Sequence, residues 1–464
     1  MPATRHVMNQ ETPPTHLDDL TLSNYRCFEG FEILFHPALT VVVAPNGSGK
    51  TAILDAVAVA FRLFVDTIQT RTGSLGFHHD DIRLQLGPDG TMTPALPTSF
   101  KARGAIGGNT LKWSRTLESY KKAAKTTFVE AISLKNAATA LRKHLQDFAD
   151  AKRPDSPVLP ILAYYGTGRL FGAHKLTKKK AEGGTHRLLG YEDCLSSASR
   201  YKYFEDWFER FSRVAQQERT DGKSSVHAPK EKLEAVTSAV NALLAPSGWQ
   251  NLSWDFAENQ IVATHPEHGT LPVEHLSDGI RNMIGMVGDI AHRCTRLNPQ
   301  LAAEAARQTH GIVMIDEVDM HLHPEWQQRV LKALQDAFPL VQFIVTTHSP
   351  QVVSTAHREN IRILVPTSSG KWEARMPERN PYAHANSVAL ETVMGGHAYP
   401  PNDTVDRLRE YQQLVGNDEH DQPRALELRA ALEREWGKTD PELALMDVTI
   451  RKNDTLRKLR SQKS

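Results

Sequence analysis

The sequence predicts an α/β nucleotide-binding fold with a mixed, mostly parallel sheet, and two stretches carry that prediction. Residues 41–51 (VVVAPNGSGKT) read as a buried strand, a glycine-rich loop and a helix start. Residues 311–317 (GIVMIDE) are an apolar run ending in two carboxylates, the pattern of a central parallel strand whose C-terminal end meets a ligand.

The first stretch is built for phosphate. In the loop formed by Asn46, Gly47, Ser48 and Gly49, the glycines let backbone N–H groups approach phosphate oxygens. Lys50 reaches the β and γ phosphates, the Thr51 hydroxyl can ligate Mg²⁺, and the helix starting there offers its positive dipole end to the anion. The one departure from the usual pattern is Ala44, in the place of the first glycine. In the second stretch Asp316 is expected to hold Mg²⁺ and Glu317 to polarise the attacking water.

Three further stretches follow in order. HLSDGIR at 275–281 resembles the signature motif of ABC-type ATPases, with Asp278 and Ile280 where transporters carry Gly and Gln. EVDMHLHP at 317–324 resembles a Walker B to D-loop junction, and FIVTTHSP at 343–350 resembles a switch loop ending in His348. Together with LTLSNYRCF at 20–28 and LAYYGTGR at 162–169, these resemble the soluble ABC-type ATPases of anti-phage defence loci. Within that group the wording is similar to the ATPase subunit of Septu systems, also found with retrons, which works with an HNH nuclease.

The resemblance implies an ABC-type P-loop ATPase head with an inserted helical subdomain and a C-terminal helical region. It implies ATP and Mg²⁺ as ligands and a head-to-tail homodimer in which the P-loop of one subunit and Ser277 and Gly279 of the other sandwich each nucleotide. Glu317 and His348 would order the water and sense the γ-phosphate. The HNH nuclease is a separate subunit, since this chain shows no nuclease constellation of its own. Higher oligomers and DNA contact stay open. The position that links nucleotide Mg²⁺ to the insert falls on Gln85 or on Asp81-Ile82-Arg83.

Taken in chain order, residues 1–16 read as a flexible polar tail. Residues 17–70 form a first head lobe, in which Leu20, Leu22, Phe31, Ile33 and Phe35 alternate as in antiparallel strands and Ile53, Leu54, Val57 and Phe61 recur as on a helix from Thr51 to Ile68. Residues 71–270 read as an inserted, helical region. Its helical pattern over 115–152 lacks the sustained heptads of a long coiled coil, which disfavours an SMC-like DNA-repair ATPase. Lys175 and Lys178, Lys179 and Lys180 form a basic loop, either solvated surface or phosphate contact. Phe204, Trp207, Phe208 and Phe211 have the spacing of a core-facing helix, with base stacking as the other reading.

Residues 271–400 carry the second half of the head, and 401–464 a helical region with a basic tip at Arg451, Lys452, Arg457, Lys458 and Arg460. Ala425, Leu428, Leu432 and Trp436 make an apolar stripe there, facing either the head or a partner. His78, His79, Asp80 and Asp81, and likewise His321 with His323, have metal-ligand composition without a convincing complement.

Bulk charge decides nothing about nucleic acid, with 55 basic against 54 acidic residues. Cys27, Cys194 and Cys294 have no C-x-x-C spacing, and no apolar run approaches 18 residues. A cytoplasmic protein without membrane spans is expected. A transporter's ATPase subunit would look alike in those respects, and the signature wording and large insert disfavour it.

Overall fold

The computed structural model describes residues 14–70, 77–119, 131–151, 156–169, 187–196, 201–221, 229–396, 399 and 402–461. The tail through residue 13 and the basic stretch from Lys175 to Lys180 lie outside them.

The chain opens with β1 (His16–Tyr25) and β2 (Phe28–Leu34), paired antiparallel with Leu20 opposite Ile33 and Leu22 opposite Phe31. All four side chains are buried, so the alternation sets both the register and the buried face. The apolar run of β3 (Leu39–Val43) is buried at every position and leads through the glycine-rich loop into α1 (Lys50–Ile68). Ile53, Leu54, Val57 and Phe61 of α1 are at most 1 % exposed, as their helical spacing requires.

Next come a small hairpin, β4 (Leu84–Leu86) with β5 (Met92–Pro94), then β6 (Thr98–Ile106), β7 (Asn109–Leu117), α2 (Ile132–Ala151) and β8 (Ile161–Tyr165). Helices α3 (Tyr201–Asp221) and α4 (Pro229–Leu244) are followed by the meander β9 (Gln250–Asp255), β10 (Gln260–His265) and β11 (Gly269–Pro272). The second half of the head runs through α5 (Asp278–Leu297), α6 (Ala305–Gln308), β12 (Gly311–Ile315), α7 (Pro324–Gln327), α8 (Val330–Ala337), β13 (Val341–Thr347), α9 (Pro350–Val353), β14 (Ile361–Pro366), β15 (Trp372–Arg375) and α10 (Asn386–Thr392).

The central sheet has the order β15-β14-β3-β13-β12-β8, parallel throughout except for β15. A second, antiparallel sheet has the order β2-β1-β6-β7. The stretch 71–270 therefore departs from the expected helical insert. β6 pairs with β1 and β8 pairs with β12, so two of its segments are integral to the head's sheets. The helical pattern expected from residue 115 is likewise strand through Leu117, because pairing with β6 there overrides local propensity. Phe204, Trp207 and Phe208 are buried, so the aromatic spacing on α3 is that of a core face.

Residues 396–464 form a separate compact unit of α11 (Asp403–Gly416), α12 (Pro423–Trp436) and α13 (Pro441–Ser461). Its core consists of Leu408, Tyr411, Val415, Ala425, Leu428, Leu432, Leu443 and Met446, with Trp436 packed against it. The Ala425 to Trp436 stripe thus packs into the core of its own three-helix unit. Among the described residues, no helix is long and apolar enough to cross a membrane.

One buried side chain joins β13 to the start of β1. Gln342 is fully buried; its amide donates to the carbonyls of Leu17 (2.8 Å) and His36 (3.0 Å), and its carbonyl oxygen accepts from the Leu17 N–H (2.7 Å). Gln342→Leu leaves these backbone groups unpaired at about 1–3 kcal/mol per buried group. Chemical denaturation should show a loss of about 2–5 kcal/mol, and a loss below about 1 kcal/mol would mean that other groups satisfy them.

Candidate nucleotide-hydrolysis site

Three parallel strands end side by side at the site: β3 before the glycine-rich loop, β12 before Asp316, and β13 between them before His348. Ligands of open parallel sheets bind outside these carboxyl ends. Gly47 and Gly49 take φ values of +77° and +90°, which side-chain-bearing residues rarely adopt. A Cβ on Gly49 would also come within 2.5 Å of the Cys27 sulfur and 2.6 Å of Phe28. Ala44 is absent from the positive-φ residues, which explains why alanine replaces the pattern's first glycine. Asn46 is exposed and Ser48 is buried within the loop.

Lys50 is 7 % exposed, and its ammonium donates to the carbonyls of Ala44 (2.8 Å) and Pro45 (3.0 Å). Burial lowers its pKa, while the carboxylates of Asp316, Glu317 and Asp319 oppose that shift. The ammonium thus lies in the field of three acids, and a bound phosphate would be a fourth anion drawing on it.

The carboxylate strand and its neighbour are tied by one hydroxyl. Thr346 on β13 donates to Asp316 Oδ1 (2.5 Å) and accepts from the Glu317 N–H (2.7 Å). The other Asp316 oxygen accepts from the Thr51 hydroxyl at 2.7 Å, so the two expected metal ligands touch. A hydroxyl and a 2 % exposed carboxylate form a hard-oxygen donor set that suits Mg²⁺, which binds through few protein oxygens plus phosphate. Glu317 sits at φ +48°, a strained backbone for a residue with a side chain and one that concentrates at functional sites. Further on, Thr347 donates to Asp319 (2.5 Å) and Ser349 to Gln327 (2.7 Å). The residues around His348 are thereby pinned to the Asp319 loop and to α7.

Ser277 and Gly279 stand at the start of α5, and among the described residues no contact places them at the glycine-rich loop. Ser277 is the exposed N-cap of α5, and its hydroxyl makes no capping bond. Asp278 and Arg281 pair beside it. Gly279 is buried where a Cβ would come within 2.4 Å of the His321 carbonyl, so α5 rests directly on the loop after Glu317. At depth α5 is also joined to β8. Asp289 accepts from the Tyr165 hydroxyl (2.8 Å) and from Arg293 (2.8 Å), while the Tyr165 carbonyl accepts from the Asp316 N–H (2.8 Å). Burial alone would push the Asp289 carboxyl up, but Arg293 holds it below the usual carboxylate range.

The sequence patterns did not point to a partly buried ion cluster beside α1. Arg26 pairs with Asp55, one turn beyond Thr51, and with Asp81 (3.0 Å), which also accepts from the Tyr25 hydroxyl (3.1 Å). Gln85 instead lies on the exposed β4 strand. Of the two candidates for the link between nucleotide and insert, Asp81 is the one wired to α1. Asn24, near the end of β1, and Arg26, just after it, both take positive φ. Thr346 and Thr347 gave no signal beyond preceding His348.

A family profile described as an AAA domain matches residues 19–243, and a second AAA domain profile matches residues 196–354. The chain is 24% identical over 497 aligned positions to the Retron Ec83 probable ATPase of Escherichia coli, covering 94% of this chain and 86% of that one. It is 42% identical over 78 residues to the Septu protein PtuA of Bacillus mycoides, covering 17% of this chain and 10% of that one. Among solved structures, the SMC head domain from Thermotoga maritima aligns at 16% identity with a TM-score of 0.41, covering 78% of this chain and all of that domain. Relatives of the chain are thus found among retron and Septu proteins, the group its motifs resemble.

Thr346→Val keeps the shape of the side chain and deletes both bonds to the carboxylate strand. Loss of such a supporting bond to a metal ligand typically costs about 10- to 100-fold in activity. Phosphate release assays should show that fall while nucleotide binding persists, and wild-type turnover would remove Thr346 from the site.

Proposed function

We propose that this chain is an ATPase of retron and Septu type defence systems, which hydrolyses ATP with Mg²⁺ and controls a separate HNH nuclease subunit. The observation that carries the reading is the Thr51–Asp316–Thr346–Glu317 constellation at the ends of three adjacent strands. Likeness to the retron ATPase over nearly the whole chain supports the biological setting.

In this mechanism the loop from Asn46 to Gly49 wraps the phosphates with backbone N–H groups, and Lys50 turns from the loop carbonyls to the β and γ phosphates. Mg²⁺, held by Thr51 and Asp316, would neutralise charge on the phosphate oxygens. Glu317 accepts a proton from the attacking water, and its strained backbone is held by the bond from its N–H to Thr346. His348, at the end of β13, registers the γ-phosphate, and the Asp319 and Ser349 bonds carry its position to the adjoining loops.

Ser277 completes the site in trans. Its exposed, uncapped hydroxyl and the free N-terminus of α5 suit the γ-phosphate bound to a second copy, in a head-to-tail dimer. ATP binding closes that dimer and hydrolysis opens it, which gates the nuclease. Larger rings and DNA contact are compatible with this dimer.

Glu317→Gln should retain ATP yet hydrolyse it about 10²-fold more slowly, as for loss of a positioned base; unchanged single-turnover rates would place the base elsewhere. The trans site is tested by mixing Lys50→Ala and Ser277→Arg chains, each inactive alone. Position 277 is preferred to Gly279, where any side chain would disturb the chain's own His321 loop. The mixture should regain turnover from one intact site per heterodimer, whereas additive inactivity would show that each chain hydrolyses ATP by itself.

A further inference from the structure

Helices α3, α4 and α5 pack on one another and bring three cations within reach of each other's fields. The guanidinium of Arg210 on α3 stands 5.4 Å from the Phe211 ring centroid, and the ammonium of Lys232 on α4 stands 5.5 Å from the same centroid. Trp207 stacks on Phe211 at 4.8 Å and lies 4.5 Å from the ring of His292 on α5. Arg296 follows His292 by one helical turn and so shares its face.

None of the three cations makes a salt bridge with a described residue. Of the acids on these helices, Asp289 pairs with Arg293 and Glu209 with Arg213, and Glu192 is the carboxylate whose field reaches Arg296. Burial lowers the pKa of Lys232 and of Arg296, and repulsion within the cluster lowers them further. His292 is 8 % exposed, and burial pushes it down to about 3, so it is a neutral ring with one donor and one acceptor nitrogen. Neither nitrogen has a hydrogen-bond partner among the described residues. Like charges gathered on an aromatic floor are unfavourable by themselves and become favourable around an oxyanion.

We propose that Arg210, Lys232 and Arg296, converging over Phe211 and His292, form a phosphate-binding site on the α3–α4–α5 face. The ligand chemistry is a phosphate oxyanion, supplied by a nucleic-acid backbone or by a free phosphorylated compound. Cations flanked by an aromatic ring suit either source, since a base or the aliphatic part of a sugar can rest beside Phe211. Arg296 lies nineteen residues along α5 from Ser277, about 28 Å at helical rise, so the cluster is distinct from the N-terminal end of that helix.

The test uses the full-length chain carrying Lys50→Ala, which removes phosphate affinity at the glycine-rich loop and keeps the result independent of the ATPase reading. Fluorescence anisotropy of a labelled single-stranded oligonucleotide, competition by inorganic pyrophosphate, and a polyglutamate control are measured with and without Arg210→Gln, Lys232→Gln and Arg296→Gln combined. Loss of three phosphate contacts should weaken oligonucleotide binding about tenfold or more and make its salt dependence shallower by about two in log–log slope. Weakening of the pyrophosphate competition alone, at unchanged oligonucleotide affinity, would assign the site to a free phosphorylated compound. No change in either, or tighter binding of polyglutamate lost in the same variant, overturns the proposal. If the triple variant melts early, Lys232→Gln against the charge-keeping Lys232→Arg gives the same decision, with only the former expected to lose affinity.

Discussion

The Thr346 hydroxyl is the interaction on which the catalytic end of the head depends. β13 lies between the strand of the glycine-rich loop and the strand of the carboxylates, so those two cannot touch directly through the sheet. Thr346 bridges them by fixing one oxygen of Asp316 and the backbone of Glu317. The remaining Asp316 oxygen accepts from Thr51, and the strained Glu317 backbone is kept in place. The adjacent carboxylates of Asp316 and Glu317, proposed to bind metal and to activate water, would repel each other. Directional hydrogen bonds from a buried neighbour give each a different task.

The same end of the sheet is tied to α5, the helix that begins at Ser277. Gly279 rests on His321, and Tyr165 connects Asp289 to the backbone of Asp316. A shift of α5 on contact with another subunit would therefore be felt at the carboxylates through two routes, one at the surface and one buried. The buried route is built from an ion pair with a satisfied hydroxyl, so breaking it leaves a charge without a partner and carries a high cost. That makes α5 and β12 a stiff unit rather than independently moving parts.

The motifs were legible because each needs particular residue types at fixed spacing. Gly47 and Gly49 announce positive φ, Lys50 and Thr51 announce phosphate and metal, and an apolar run before Asp316 announces a buried strand. Contacts between residues distant in sequence were not legible. Arg26, Asp55 and Asp81 assemble only when the β1–β2 turn meets α1, and nothing local in Asp81 marks it as buried. The region from 71 to 270 read as a helical insert because its strands are short and separated, and pairing with β1 and β12 is what makes them strands.

By itself the sequence determined the glycine-rich loop with its positive-φ glycines, the buried strand that ends at Asp316 and the alternation that buries Leu20, Leu22, Phe31 and Ile33. These follow from backbone sterics and hydrophobic periodicity, which act over a few residues. Only the tertiary structure decided that Thr346 joins Asp316 to Glu317, that the stripe from Ala425 to Trp436 closes its own three-helix core, and that Arg210, Lys232 and Arg296 meet on one face. Each of those outcomes depends on which surfaces are covered when distant segments pack, and a periodic pattern states only that a face will be covered, never by what.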